Sequence, residues 1–442
     1  MSLVELELEL ETPLFAGGHE PLKLDKLWIL RPSEIKGVWR WWARALVAGA
    51  LYDAGQLKGE SRERQGLLKA PTRDEANNIS KIVGLKMGLG YADPQGMHST
   101  ASSYVLITEP IENIKKHHSK LRFAKDPKTG RKHLVIYDPQ TEKELPIGLQ
   151  RLILLAMSHE REERWEAECL TPGARFKLRV EERLPVDRKS AEAALAALSL
   201  ALTFSGFGKG GRRGLGCFRV VRATGEYAAL FDAGASVADK VTRAVNAARR
   251  VAEVRADESG AGELPPLPLV SARDLVGGYA VRGRKLRPFQ VIEVRGGDAS
   301  RLLEELHNFF LRGVRAKKLL GSYREPDALR ENWNAWVLGL PREQKKPKQG
   351  LETGYAILGV ADRRPSPLFL AVHEGVAYLS VFVSADWPAV LWWRDIDKIR
   401  GRQREKKILI DEMRVISAFA TAIKEFVDYA ERSGFEVKFV WP

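Results

Sequence analysis

The ten residues FGKGGRRGLG, at 207–216, combine five glycines with three cations. Glycine lets the backbone approach a ligand closely, and exposed amide groups beside basic side chains bind anions. The segment lacks the P-loop pattern, and it follows a predicted helix and precedes a strand, which reverses the Rossmann order. Binding of a phosphate backbone is therefore the functional interpretation, and a mobile solvated turn is the alternative. The candidate residues are Gly208, Lys209, Gly210, Gly211, Arg212 and Arg213.

A second basic pattern lies in SEIKGVWRWWARALVAGALYD, whose apolar spacing predicts a helix from about residue 34 to 52. Lys36, Arg40 and Arg44 are spaced i, i+4, i+8, so they form one stripe roughly opposite the apolar side. Arg31 precedes the helix, and Trp41 lies off the apolar arc, where it could stack on a base or on an insertion. An ordinary amphipathic helix is the alternative interpretation.

Two cationic segments in the C-terminal half, RGVRAKKLLGSYR and KIRGRQREKK, are further candidates for contact with RNA or a partner. Solvated surface charge is the alternative for both. The candidate residues are Arg315, Lys317, Lys318, Arg402 and Arg404.

Catalytic and metal-binding patterns are sparse. His19, in AGGHE, is the one weak candidate for a general base, although a lone histidine in a loop is more often an ordinary surface residue. His117 and His118 have no carboxylate pattern beside them, so neither a metal site nor a cofactor is predicted. The sequence also lacks an H-D pair and a G-G-D-D stretch.

Length and composition indicate a folded globular protein. The chain has 442 residues, 44% of them hydrophobic, which suits two domains. Its formal net charge of +14 favours a polyanionic partner such as nucleic acid. Cys169 and Cys217 are outside any C-x-x-C pair, which argues against a thiolate zinc site and favours a reducing, cytoplasmic location. The longest apolar run is about a dozen residues, too short to span a membrane.

The hydrophobic pattern also predicts the elements that position these residues. Strict alternation in VELELELE predicts a first strand. Without insertions around 55–165, residues 1–225 follow the order β-α-β-β-α-β, and 266–442 repeat it after a linking helix and a Gly/Pro-rich linker at 226–265. We therefore expect an α+β fold of two tandem ferredoxin-like, RRM-like domains. The first and last strands of such a unit are neighbours, which predicts that the glycine loop and the first helix form one site.

Three motifs together resemble the RAMP superfamily of CRISPR-associated proteins. They are TPLFAGG after the first strand, RPSEIKGVWRWWARAL, and the glycine-rich loop before the last strand of the first unit. More narrowly, TPLFAGG with IKGVWRWWARAL is similar to the RAMP subunit conventionally numbered first in the type III-B Cmr effector complex. These motifs lie in residues 10–52 and 203–219, whereas the C-terminal half matches only in the order of its elements.

The resemblance implies a non-catalytic RNA-binding subunit that holds the 3′ side of the CRISPR guide RNA in antiviral defence. It also implies contact with other RAMP subunits and proximity to target RNA. Some RAMP proteins cut RNA without metal through a general base, so a metal-independent endoribonuclease that uses His19 is the alternative. An adaptor that binds only proteins is a third possibility, and it would make the basic surface incidental.

One feature of the first strand argues against RNA binding across its sheet. Glu5, Glu7, Glu9 and Glu11 line one face of that strand, and the chain has no RNP-like run of aromatic residues. The loops and the first helix are therefore predicted to hold RNA.

Overall fold

The computed structural model describes residues 2–16, 22–24, 30–62, 66–92, 98–125, 132–146, 148–149, 166–257, 260–323, 325–340, 342–346, 351–356, 364–396 and 403–442.

The fold is mixed, with small antiparallel sheets and helices. The helices are α1 (Pro32–Asp53), α2 (Arg73–Lys81), α3 (Arg188–Phe204), α4 (Val237–Ala252), α5 (Ala299–Asn308), α6 (Arg312–Leu320), α7 (Ala328–Glu331) and α8 (Glu412–Arg432). The strands are β1 (Ser2–Leu10), β2 (Glu60–Arg62), β3 (Leu67–Ala70), β4 (Tyr91–Ala92), β5 (Ser99–Thr100), β6 (Tyr104–Pro110), β7 (His118–Lys125), β8 (Lys132–Tyr137), β9 (Glu144–Pro146), β10 (Glu166–Leu170), β11 (Arg175–Glu182), β12 (Phe218–Thr224), β13 (Ala280–Val281), β14 (Arg284–Lys285), β15 (Phe289–Arg295), β16 (Arg342–Lys346), β17 (Leu351–Ala356), β18 (Leu368–His373), β19 (Val376–Phe382), β20 (Val390–Ile396), β21 (Gln403–Leu409) and β22 (Glu436–Trp441).

The first central sheet has the strand order β12-β1-β11-β6, with every neighbouring pair antiparallel. Its strands and two of the helices follow one another along the chain as β1, α1, β6, β11, α3 and β12. The pairing of β1 with β12 brings the end of the glycine loop to the end of β1, where Leu10 lies opposite Phe218. A four-stranded sheet of β10-β7-β8-β9 and two hairpins occupy the region between α1 and β11.

The second central sheet has the strand order β18-β19-β15-β22, and its pairs are also antiparallel. Along the chain its elements run β15, α5, β18, β19, α8 and β22, with α6 and α7 inserted after α5. A separate sheet of order β16-β17-β20-β21 belongs to this half of the chain.

Helix α1 lies between the two central sheets. Its Trp42 packs against Phe289 of β15, with ring centroids 6.0 Å apart. Successive strand residues face opposite sides of a sheet, and Phe289 and Val291 belong to the core that contains α1, α3 and α4. Ile292 and Val294 belong to the second core, with α5 and α8. The layers are therefore sheet, helices, sheet, helices, and the second sheet has one face buried against the first unit.

Two further sequence expectations concern the thiols and the membrane. Cys169 and Cys217 are buried free thiols, and burial raises the pKa of each to about 12. Across the described ranges, no helix is long and apolar enough to cross a membrane.

Candidate nucleic-acid interface

The glycine loop, residues 207–216, is closed by hydrogen bonds to the protein itself. The amide of Gly208 donates to the carboxylate of Glu34 in the first turn of α1. The amide of Lys209 donates to the carbonyl of Phe15, 2.9 Å away, and the amide of Gly211 donates to the carbonyl of Gly208. These three amides therefore already have acceptors within the protein, and in this structure they do not form an open cradle for a phosphate.

Close packing explains the glycines. Gly208 has φ +78°, and a Cβ there would lie 2.8 Å from the carbonyl oxygen of Phe15. Gly216 has φ +66°, and a Cβ there would lie 2.1 Å from the carbonyl oxygen of Phe207. Both positions combine a left-handed backbone with a neighbour that leaves no room for a side chain. Gly208 therefore allows contact between the loop and the segment after β1, and Gly216 allows the two ends of the loop to meet.

Two of the three loop cations lie at the junction between the two halves. Arg213 is buried, and its guanidinium donates to the carbonyl of Leu338 at 2.9 Å and lies 3.6 Å above the ring of Phe310. Its prediction as an RNA contact is therefore wrong, since the charge is enclosed by protein carbonyls and an aromatic ring. Arg212 is half-buried over the ring of Phe369, 4.6 Å from its centroid. Lys209 is exposed.

Trp41 also packs at this junction. Its ring centroid lies 4.7 Å from that of Phe369 and 5.0 Å from that of Phe382, both in the second central sheet. The guanidinium of Arg212 lies 5.7 Å from the Trp41 ring centroid. The ring predicted to stack on a base is thus occupied by packing between the two halves. The contacts of Trp41 and Glu34 join α1 to the glycine loop, which confirms that these two elements meet.

A histidine that the sequence analysis did not single out links the same two halves. His373 Nδ1 lies 2.7 Å from a carboxylate oxygen of Glu11, and its Nε2 lies 3.0 Å from the carbonyl of Thr203. The amide of Glu374 donates to the other oxygen of Glu11. Both ring nitrogens face oxygen atoms of the first half, so this ring joins the end of β18 to the segment after β1 and to the end of α3. No local sequence motif signals this contact, because its members are separated by hundreds of residues.

The basic stripe on α1 has a different environment. Lys36 Nζ donates to the carbonyl of Tyr104 at 2.9 Å, and Arg40 Nε donates to the carbonyl of Leu89 at 2.6 Å. Arg44 is exposed. These contacts place the stripe beside β6 and the turn at 88–90.

Arg183, at the end of β11, joins this group from outside the helix. Desolvation is the main cause that lowers the pKa of Lys36, and the neighbouring charges of Arg40 and Arg183 lower it further. The pKa of Arg40 is lowered by desolvation and by the charge of Arg44. We call Lys36, Arg40, Arg44 and Arg183 the α1 cation cluster. In the part of the chain that the structure describes, none of the four forms an ion pair.

The outer face of the first central sheet shows the opposite arrangement. Lys177 lies 3.1 Å from Glu5, and Arg175 and Arg219 lie 2.9 and 3.1 Å from the two oxygens of Glu9. Each glutamate of this face has a basic partner on an adjacent strand. The sheet therefore supplies its own counter-charges, while the α1 cation cluster does not.

The C-terminal candidates divide into buried and exposed residues. Arg315 is fully buried and bonds both carboxylate oxygens of Asp327, at 3.0 and 3.1 Å. Its prediction as an RNA contact is wrong, because its charge is neutralised inside the core. Lys317 is exposed, with its ammonium 4.9 Å from the Tyr323 ring centroid, and Lys318 pairs with Glu305.

Three predicted positions cannot be placed as side chains. The backbone of Arg404 belongs to β21, whereas Arg402 and His19 lie outside the described residues. No group of three or more histidine, cysteine or acidic side chains that could hold a metal ion occurs within the described residues.

The arrangement of sheet, α1 and glycine loop defines the class of protein. The family model of the RAMP superfamily matches residues 7–219, which include the second half of β1, α1 and the glycine loop. This match confirms the resemblance to the RAMP superfamily that the sequence motifs indicate.

Solved structures give the more particular likenesses. Cmr1 from Pyrococcus furiosus, in its apo form, is 17% identical, with 100% of this chain and 99% of that chain covered at a TM-score of 0.47. A chain of the type III-B Cmr-beta complex bound to cognate target RNA is 13% identical, with 97% and 99% covered at a TM-score of 0.50. At this identity the second likeness is one of fold. A comparison with curated proteins gives no match.

Proposed function

We propose that this chain is a non-catalytic RNA-binding subunit of a type III-B CRISPR (Cmr) ribonucleoprotein effector complex and acts in antiviral defence in the cytoplasm. The observation that supports RNA binding most directly is the α1 cation cluster, with four cations and no ion pair in the described part of the chain. The net charge of +14 and the match of residues 7–219 to the RAMP superfamily model agree with it.

The energetics of the cluster favour a polyanion. Lys36 and Arg40 lose part of their hydration and lie close enough to repel one another, so the pKa of each is lowered in the unliganded protein. Phosphate oxygens would relieve that repulsion and would release condensed counterions from RNA. Perturbed cations without acidic partners are the pattern expected at a binding site, whereas paired charges are typical of a structural surface.

The finer role rests on the family resemblance. We place the 3′ side of the guide RNA against this chain, with target RNA nearby and other RAMP subunits as its protein partners. A chain of similar fold occurs in a Cmr-beta complex bound to cognate target RNA.

The strand orders support a finer fold assignment as well. When the four strands of each central sheet are numbered in chain order, the first sheet has the order 4-1-3-2 and the second has the reverse order, 2-3-1-4. In both halves the elements follow the order β-α-β-β-α-β along the chain. We therefore propose two tandem ferredoxin-like units.

RNA binding by the purified chain tests the proposal. Affinity for single-stranded RNA should fall steeply with salt, with a slope in log–log form of about −0.7 per phosphate neutralised. Fluorescence anisotropy with labelled RNA, titrated from low to physiological ionic strength, measures that slope. An affinity that does not change with salt would contradict binding through phosphates.

The purified chain is also expected to leave RNA intact, with or without divalent metal. Cleavage requires a positioned base and acid or a metal cluster, and His19 is the only suggestive residue in the sequence. Gel analysis of end-labelled RNA measures cleavage directly. Reproducible cleavage that disappears in His19→Ala while RNA binding persists would establish the endoribonuclease alternative.

A further inference from the structure

The sheet of β16, β17, β20 and β21 has one packed face and one open face. Successive residues of a strand face opposite sides, and Leu391 and Trp393 of β20 pack into the second core together with Ile408 of β21. Trp393 contacts Trp333, with ring centroids 4.5 Å apart. Trp392 therefore faces the other side of the sheet.

Trp392 differs from the other described tryptophans. It is half-buried, it belongs to neither hydrophobic core, and it makes no ring contact within the described ranges. Every other described tryptophan packs against a core: Trp39, Trp41, Trp42 and Trp441 in the first, and Trp333, Trp336, Trp387 and Trp393 in the second. An outward indole that joins neither core within the described ranges offers a large apolar face to a ligand.

The strand register shows what surrounds this ring. Lys407 lies directly opposite Trp392, and Leu409 lies opposite Val390 on the same face. The next pair on this face is Arg394 with Glu405, which form an ion pair at 2.9 Å. Lys407 is exposed and forms no ion pair in the described part of the chain, and Leu409 is 64% exposed. We call Val390, Trp392, Lys407 and Leu409 the Trp392 face.

We propose that the Trp392 face binds single-stranded RNA, with a base stacked on the indole of Trp392 and a backbone phosphate held by Lys407. Stacking on an aromatic ring next to a cation is how proteins hold single strands without reading their sequence. The positive charge of Lys407 complements a phosphate. This inference rests on the proposed RNA-binding function and adds a contact in the C-terminal half to the α1 cation cluster.

The test uses the full chain and a fluorescein-labelled oligouridylate of about 20 nucleotides, long enough to cover more than one contact. Trp392→Ala should weaken binding by about tenfold, because it removes the ring on which one base stacks. Trp392→Phe should retain most of the affinity, since it keeps an aromatic face. Tyr279→Ala is the matched control, because that ring is also half-buried but packs against the second core. Circular dichroism should show the same fold for all variants.

Three results would overturn the inference in distinguishable ways. In the first, the wild type binds the oligouridylate, a variant of the α1 cation cluster binds it more weakly, and Trp392→Ala binds it as well as the wild type. That result would contradict a contact at Trp392 but would still support the proposed function. Unchanged RNA affinity together with impaired incorporation into the effector complex would assign the Trp392 face to a protein partner. No binding of the oligouridylate by the wild type would overturn the proposed function as well.

Discussion

Replacing Lys36, Arg40 and Arg44 together by glutamine is expected to lower the affinity of the chain for single-stranded RNA by about 100-fold at low salt. The net free-energy contribution of one hydrogen bond to a charged group is about 1.5 to 3 kcal/mol. The contributions of neighbouring contacts do not simply add, so we expect less than the sum of three such bonds. The difference from the wild type should shrink as salt rises, because the variant releases fewer counterions. Anisotropy titrations at several salt concentrations measure both the affinity and the slope, which should become less steep by about 0.7 for each phosphate that the variant no longer neutralises.

A matched control separates local contact from net charge. Glutamine at Arg175, Lys177 and Arg219 also removes three positive charges, but these cations pair with glutamates on the outer face of the first sheet. We expect this control to weaken binding by no more than about threefold, since exposed paired charges contribute little. Equal reductions in affinity in the two triple variants would mean that only the total charge matters, and would contradict a site at α1.

The α1 stripe could be predicted from sequence because helical periodicity alone places its members on one side. Arg183 could not be, because it reaches the cluster from the end of β11, well over a hundred residues away in the chain. Periodicity describes one element at a time, so it finds the part of a site that a single helix supplies.

The glycine loop shows the converse limit. Its composition suits an anion cradle, but the amide partners that occupy it, Glu34 and Phe15, lie in segments remote from it in sequence. Likewise, the helical arc could not reveal that Trp41 meets Phe369, because that contact depends on how the two halves pack. The order of elements within each half could be predicted from hydrophobic patterning, whereas the face that the second sheet buries could not.

Arg315→Met is expected to reduce the free energy of unfolding by about 3 to 5 kcal/mol, the range for breaking a buried ion pair by removing one partner. Arg315 is completely buried between Asp327 and Glu425, 3.0 and 3.2 Å from their carboxylates. Methionine fills much of the volume but leaves both carboxylates without their cation. Urea unfolding, followed by tryptophan fluorescence and circular dichroism, measures the change in midpoint.

Arg312→Met provides the matched control on the same helix. Arg312 is exposed, so the same substitution there should change stability by less than about 0.5 kcal/mol. A similar small effect at Arg315 would show that the buried triad, Arg315 with Asp327 and Glu425, does not stabilise the C-terminal half.

The same triad should give the protein a measurable pH dependence. Burial raises the pKa of Glu425 from 4.5 to about 7, although the charge of Arg315 opposes that rise. Between these two values the folded chain retains a proton that the unfolded chain has released, so the contribution of this carboxyl to stability falls as pH increases through that window. Arg315→Met removes the opposing charge, so the destabilisation in this variant should be smaller at low pH, where Glu425 is neutral, and larger above pH 7. A destabilisation that is independent of pH would instead attribute the effect to packing around the methionine.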